Sequence, residues 1–173
     1  LPAPHRRSPL PDLGNVVGQG PIQIVQYYWT GRYGTVDVSD PYWPRVSPPY
    51  EQYISGALQY KDHVGLDSAQ GPSRLYDLHD PVQPEPKGWV TWPYVTGKGH
   101  LLSSSLAAVE KLTAVGLRLV DISDLANPVL RGELPESAAR AAGDGLLACG
   151  DLYGLRLYDI SDLAAPILRG SVT

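Results

Sequence analysis

The sequence predicts an all-β protein, a β-propeller-like array of about four four-stranded blades, arranged as a closed small ring or an open arc. Three observations lead there. First, Gly116 to Gly132 reads GLRLVDISDLANPVLRG and Gly154 to Gly170 reads GLRLYDISDLAAPILRG, two stretches of seventeen residues that differ at three positions. Second, two worn copies stand upstream, Gly34-Thr35-Val36-Asp37-Val38-Ser39-Asp40-Pro41-Tyr42-Trp43-Pro44 and Arg74-Leu75-Tyr76-Asp77-Leu78-His79-Asp80-Pro81-Val82-Gln83-Pro84. Third, the aspartates that set the register, Asp37, Asp77, Asp121 and Asp159, lie 40, 44 and 38 residues apart, the length of one four-stranded blade.

The chain opens on residues 1–19, a proline-rich stretch with Arg6 and Arg7 that reads as an extended arm, either flexible, grasping a partner or capping the array. Residues 20–173 then form one repeat domain, with approximate blades at 20–50, 51–92, 93–135 and 136–173. Within the best copies, Leu117 to Ile122 and Leu155 to Ile160 carry β-branched, aromatic or leucine residues on both alternating faces, as expected of a strand packed between neighbouring sheets. Each such strand stops at Ser-Asp or His-Asp, with a proline soon after. An aspartate accepts hydrogen bonds from amides one or two residues on, and proline presets φ, so Asp40, Asp80, Asp124 and Asp162 read as turn formers. Val129 to Gly132 and Ile167 to Gly170 resume a short strand, and Leu146 to Cys149 leads through a hairpin at 150–154 into the last repeat strand. The fourth strand of the last blade falls to Ala138 to Asp144. Its alanines suit a helix equally, as do those of Ser105 to Ala114.

Composition excludes several functions. Fourteen basic and eighteen acidic residues give a formal charge of −4, with no basic run longer than Arg6-Arg7, so a nucleic-acid surface is not expected. No stretch has the eighteen or so apolar residues of a spanning helix, so the chain is not expected to cross a membrane, though peripheral association with a membrane complex stays open. It starts at Leu1 and lacks methionine, for which a cleaved secretory signal is the simplest expectation, with a fragment of a longer chain as the rival.

The repeated cassette, Gly-Leu-Arg-Leu-(Val/Tyr)-Asp-Ile-Ser-Asp-Leu-Ala-x-Pro-(Val/Ile)-Leu-Arg-Gly, resembles the LVIVD repeat of bacterial and archaeal surface or exported proteins. That resemblance implies a propeller in the periplasm, on the cell surface or outside the cell. It transfers no catalytic residues.

The two halves differ. All four tryptophans, nine of eleven tyrosines and fourteen of seventeen prolines precede residue 100, which concentrates rigid aromatic area in the first half. Tyr27, Tyr28, Trp29, Tyr42, Trp43, Tyr50, Trp89, Trp92 and Tyr94 therefore either anchor a partner-binding surface or fill a core that lacks Phe and Met.

Candidate chemistry is thin. His5, His63, His79 and His100 show no metal-ligand spacing, so neither metal nor cofactor is expected. Cys149 sits in an apolar run and reads as a small buried thiol, Ser103-Ser104-Ser105 lacks a nucleophile elbow, and Gly97-Lys98-Gly99-His100 lacks a phosphate-loop pattern. Asp37, Asp77, Asp121 and Asp159 read as structural carboxylates of the strand ends rather than channel ligands. The resulting expectation is a non-enzymatic, exported scaffold or accessory subunit that binds protein partners or itself. The alternatives are an enzyme, a hydrolase or metal-dependent oxidoreductase with a carboxylate or histidine at the channel mouth, and a subunit of a surface filament.

Overall fold

The computed structural model describes residues 13–17, 22–27, 33–40, 42–48, 58–67, 73–80, 82–90, 99–111, 115–136, 138–151 and 154–173. Those residues form sixteen strands and no helix, in four antiparallel sheets of four. Blade 1 holds β1 (Leu13–Val17), β2 (Ile22–Tyr27), β3 (Tyr33–Asp37) and β4 (Arg45–Val46), and blade 2 holds β5 (Leu58–Lys61), β6 (Val64–Asp67), β7 (Arg74–Asp77) and β8 (Glu85–Trp89). Blade 3 holds β9 (Gly99–Ser103), β10 (Leu106–Glu110), β11 (Leu117–Asp121) and β12 (Val129–Leu134), and blade 4 holds β13 (Ala139–Gly143), β14 (Leu146–Asp151), β15 (Gly154–Asp159) and β16 (Ile167–Val172). In each sheet the strands follow one another in sequence order. Because β9 touches both β5 and β13, the first strand of each of these blades is the innermost and the fourth lies at the rim.

The first strand corrects the expected arm. β1 lies inside residues 1–19, because the stretch after Pro11 has no proline and pairs with β2, Leu13 opposite Tyr27 and Val16 opposite Val25. The alanine-rich segment 139–143 is a strand, not a helix. Its hairpin to β14 turns on Asp144 and Gly145, whose φ values of 51° and 73° match the two-residue turn that follows the twist of paired strands.

The same turn chemistry closes every third strand. Asp37, Asp77, Asp121 and Asp159 each accept the backbone N–H two residues on, from Ser39, His79, Ser123 and Ser161, at 2.9–3.0 Å. Asp40, Asp80, Asp124 and Asp162 then accept the amides of Tyr42, Val82, Ala126 and Ala164. The outer strands of blades 3 and 4 carry one extra residue each: Leu119 faces Gly132 while Val120 faces Leu130, and Leu157 faces Gly170 while Tyr158 faces Leu168. Those bulges re-aim Arg131 and Arg169 onto the strand-end carboxylates, Arg131 Nη2 to Asp121 at 2.9 Å and Arg169 Nη2 to Asp159 at 2.6 Å. The Arg169 hydrogen bond holds the Asp159 carboxyl down at about 2, and the hydroxyl of Ser123 and the guanidinium of Arg131 lower that of Asp121. Both groups favour the folded state above the ordinary carboxyl range, and that contribution is lost as pH falls through their lowered values.

Packing comes from the two faces of each sheet. Val64, Leu66, Leu75 and Val90 of blade 2 close on Ala107, Val109, Val120 and Ile122 of blade 3 in one core. Leu117, Leu119 and Leu134 on the other side of blade 3 close on Leu147, Cys149, Tyr158 and Ile160 of blade 4 in a second. The corresponding side of the blade 4 sheet is exposed among the described residues.

The strand-end carboxylate makes a testable contribution. Asp121→Ala removes the acceptor for Ser123 and Arg131, and we expect a loss of about 1–2 kcal/mol in urea unfolding near neutral pH. That loss shrinks as pH falls through the lowered value of the wild-type carboxyl, where it is itself protonated.

Candidate functional site

β9 runs along the channel from Gly99 to Ser103, and β10 returns antiparallel beside it, so Gly99, His100 and Glu110 share one end of the blade while the turns at 103–106 and 121–129 share the other. Side chains alternate along a strand. His100 lies opposite Ala108, and Glu110 opposite Leu117, which puts both on the side of blade 3 that meets blade 4. There His100 Nε2 stands 2.8 Å from Glu110 Oε1, with both side chains half-buried. Gln59 of the neighbouring inner strand ties this end of β9 in place: its amide donates to the Gly99 carbonyl at 2.6 Å and accepts from the Leu101 N–H at 2.7 Å.

Blade 4 presents a second polar group to the same seam. Glu136 is buried on the connection into β13, and both its oxygens receive Arg156 Nη1 at 2.9 Å while Tyr158 Oη donates to Oε1 at 2.5 Å. Arg118, the counterpart of Arg156 in blade 3, instead pairs with Glu133 at 3.0 Å, together with Lys111. Serine occupies the Glu133 position of blade 4 at Ser171, which explains why Arg156 turns to Glu136. Burial, then the Glu136 hydrogen bond, pushes the Tyr158 phenol up to about 12, and burial, then the Glu136 charge, pushes the Cys149 thiol up to about 11. A thiol held protonated in this way is no nucleophile.

The opposite end of blades 3 and 4 holds a broad open depression of about 560 Å³ lined by Lys61, Ser105, Asp121, Ser123, Asp144 and Ser161 among others. Its repeat aspartate Asp121 is already engaged by Ser123 and Arg131. His63 and His79 stack at 3.9 Å in blade 2, and His79 Nδ1 lies 2.6 Å from Asp77 Oδ1. Among the described residues no three His, Cys, Asp or Glu side chains gather as metal donors.

The aromatic candidates divide. Tyr42 and Trp43 stand exposed on the Asp40 turn. Trp89 is half-exposed on β8, with the Arg74 guanidinium 4.9 Å from its ring. Tyr27 is in β2, but its side chain, and Tyr28, Trp29, Tyr50, Trp92 and Tyr94 altogether, lie outside the described residues. Sequence reasoning passed over Glu110 and Glu136. Glu110 acquires its role from the hairpin register that sets it beside His100, and Glu136 from the packing of one blade on the next.

The LVIVD repeat matches twice, at residues 113–134 and 151–173, which hold the third and fourth strands of blades 3 and 4. No functionally curated protein matches the sequence. Among solved structures, the chain is similar to a candidate 6-phosphogluconolactonase from Bacteroides fragilis, with a TM-score of 0.57 at 14% identity over 98% of this chain. The chain spans 57% of that protein's length. This comparison corrects the expected non-enzymatic scaffold, accessory subunit or filament: the same architecture occurs in a protein assigned an enzymatic activity, so a repeated fold does not stand for a structural role.

Tyr158 offers a direct check on the seam. By NMR of labelled tyrosine we expect it to ionise at about 12, and Glu136→Gln to move it down towards the ordinary tyrosine range, leaving the part due to burial. With the folded value raised, its contribution to stability is full below the ordinary value and is lost as pH rises through about 12.

Proposed function

We propose that this chain belongs to a propeller hydrolase that opens lactone esters, with His100 as the general base and Glu110 as the group that orients it. The observation that carries the reading is the 2.8 Å contact between His100 Nε2 and Glu110 Oε1 at the inner end of blade 3. The likeness to a candidate 6-phosphogluconolactonase supports the choice of a sugar lactone as substrate class.

A carboxylate beside Nε2 fixes the imidazole proton there and leaves Nδ1 as the lone-pair nitrogen. In the proposed reaction Nδ1 takes a proton from water as the water oxygen bonds to the lactone carbonyl carbon, and the Glu110 carboxylate stabilises the imidazolium that forms. Collapse of the tetrahedral oxyanion breaks the bond from that carbon to the ring oxygen. The imidazolium returns its proton to that oxygen, and the hydroxy acid departs. Base and acid are one residue, so no second titrating group is required. The exported location drawn from the LVIVD resemblance is part of the same proposal, with fractionation of the source cells as its check.

The test is lactone hydrolysis above the spontaneous rate, followed by acid release at constant pH, with 6-phosphogluconolactone and the unphosphorylated gluconolactone as probes. His100→Gln is expected to lower kcat by about 100-fold or more, and Glu110→Gln to lower it and alter the pH profile. Wild-type protein without activity above background, or His100→Gln retaining full activity, contradicts the proposal.

A further inference from the structure

β9 is the innermost strand of blade 3, and among the described residues it has a sheet partner on one side only, β10. Its other edge carries backbone groups that no strand takes up. Blade 2 meets that edge with side chains instead. Gln59 and Lys61 stand two residues apart on β5: the Gln59 amide donates to the Gly99 carbonyl at 2.6 Å and accepts from the Leu101 N–H at 2.7 Å, and Lys61 Nζ donates to the Leu102 carbonyl at 2.5 Å. A glutamine amide holds a donor and an acceptor in one plane, as a peptide group does, so Gln59 stands in for one residue of a paired strand.

His100 lies between the two residues that Gln59 holds. It is opposite Ala108 of β10, so the ladder fixes one edge of the strand at this point and Gln59 fixes the other. Gly99 tightens the same contact. A Cβ there would come within 3.1 Å of both Leu66 Cδ2 and Ser73 Oγ of blade 2, so the start of β9 lies against blade 2 more closely than a side chain readily allows. The imidazole itself meets Glu110 on the side of blade 3 that faces blade 4. Blade 2 therefore sets the backbone of His100, while blade 3 supplies the partner of its ring.

We propose that Gln59 is a positioning residue for His100: its two-point grip on β9 holds the imidazole at hydrogen-bond distance from Glu110, and so keeps the proton on Nε2 and the lone pair on Nδ1. Gln59 is uncharged and its bonds to β9 are to backbone atoms, so it acts through geometry. Water in its place satisfies the same carbonyl and N–H but leaves the strand free to shift, and a displacement of about 1 Å at a reacting group can cost about 100-fold in rate. The catalytic consequence rests on His100 being the general base proposed above; the geometric one does not.

Proton NMR of the whole chain reads this grip independently of activity, since an imidazole N–H held by a carboxylate exchanges slowly and resonates at low field. We expect such a signal from His100 in the wild type, assigned by its loss in His100→Gln. It disappears in Gln59→Leu, and also in Gln59→Glu, which keeps the size of the side chain and loses the donor, with the strand spectrum of both variants retained. Lactone hydrolysis falls in parallel, kcat by about 10-fold or more with KM within about 2-fold. Lys61→Met removes the other side-chain bond from blade 2 to β9 and is the control, with signal and kcat as in the wild type. A wild type without the signal, or Gln59 variants that keep it or keep full kcat, overturns the proposal. So does equal loss of stability in the Gln59 and Lys61 variants with the signal intact, which makes Gln59 a junction residue alone. If the wild type hydrolyses no lactone, the reading of the site fails, and the low-field signal by itself decides whether Gln59 positions His100.

Discussion

A sheet that is apolar on both faces has to be covered on both faces, and the rest of this structure depends on that constraint. One blade cannot satisfy it alone. β11 sends Leu117 and Leu119 towards blade 4 and Val120 towards blade 2, and burial of a leucine side chain is worth about 1.5–3 kcal/mol. Blade 3 is sandwiched and blade 4 is covered on one side. The stability of such an array is a sum of blades and junctions, and the junction terms belong to no single repeat.

The polar groups serve the same arrangement. A strand-end aspartate caps its turn, a rim bulge brings Arg131 or Arg169 back onto that aspartate, and the turn rests against a glycine of the preceding blade. Sequence identity is therefore concentrated where backbone geometry is demanding. His100 stands at the end of the inner strand, on the side of blade 3 that meets blade 4 and outside the two matching stretches, where residues differ from copy to copy.

Much of the fold was legible because the near-duplicate stretches align Asp121 with Asp159, and that register exposed Asp37 and Asp77. The aspartates could be recognised as turn formers since an Asx turn is local, spanning two residues. β1 was not legible, because the prolines before it mask a strand that exists only through its pairing with β2. The candidate site was least legible. His100 and Glu110 are ten residues apart and meet through a hairpin register, while Glu136, Arg156 and Tyr158 meet because one blade packs on another. Tyr42 and Trp43 occupy turn positions that are also exposed at Ala126 and Asn127 and at Ala164 and Ala165, so their exposure belongs to the turn itself.

Mutual support between blades is most directly measured by native-state amide exchange on Leu119→Ala. The substitution lies wholly in blade 3 and is expected to cost about 2–5 kcal/mol. If the junction carries the fold, protection falls in β14 and β15 of blade 4 along with β10 and β11. Loss of protection confined to blade 3, with blade 4 amides exchanging as in the wild type, would contradict the account.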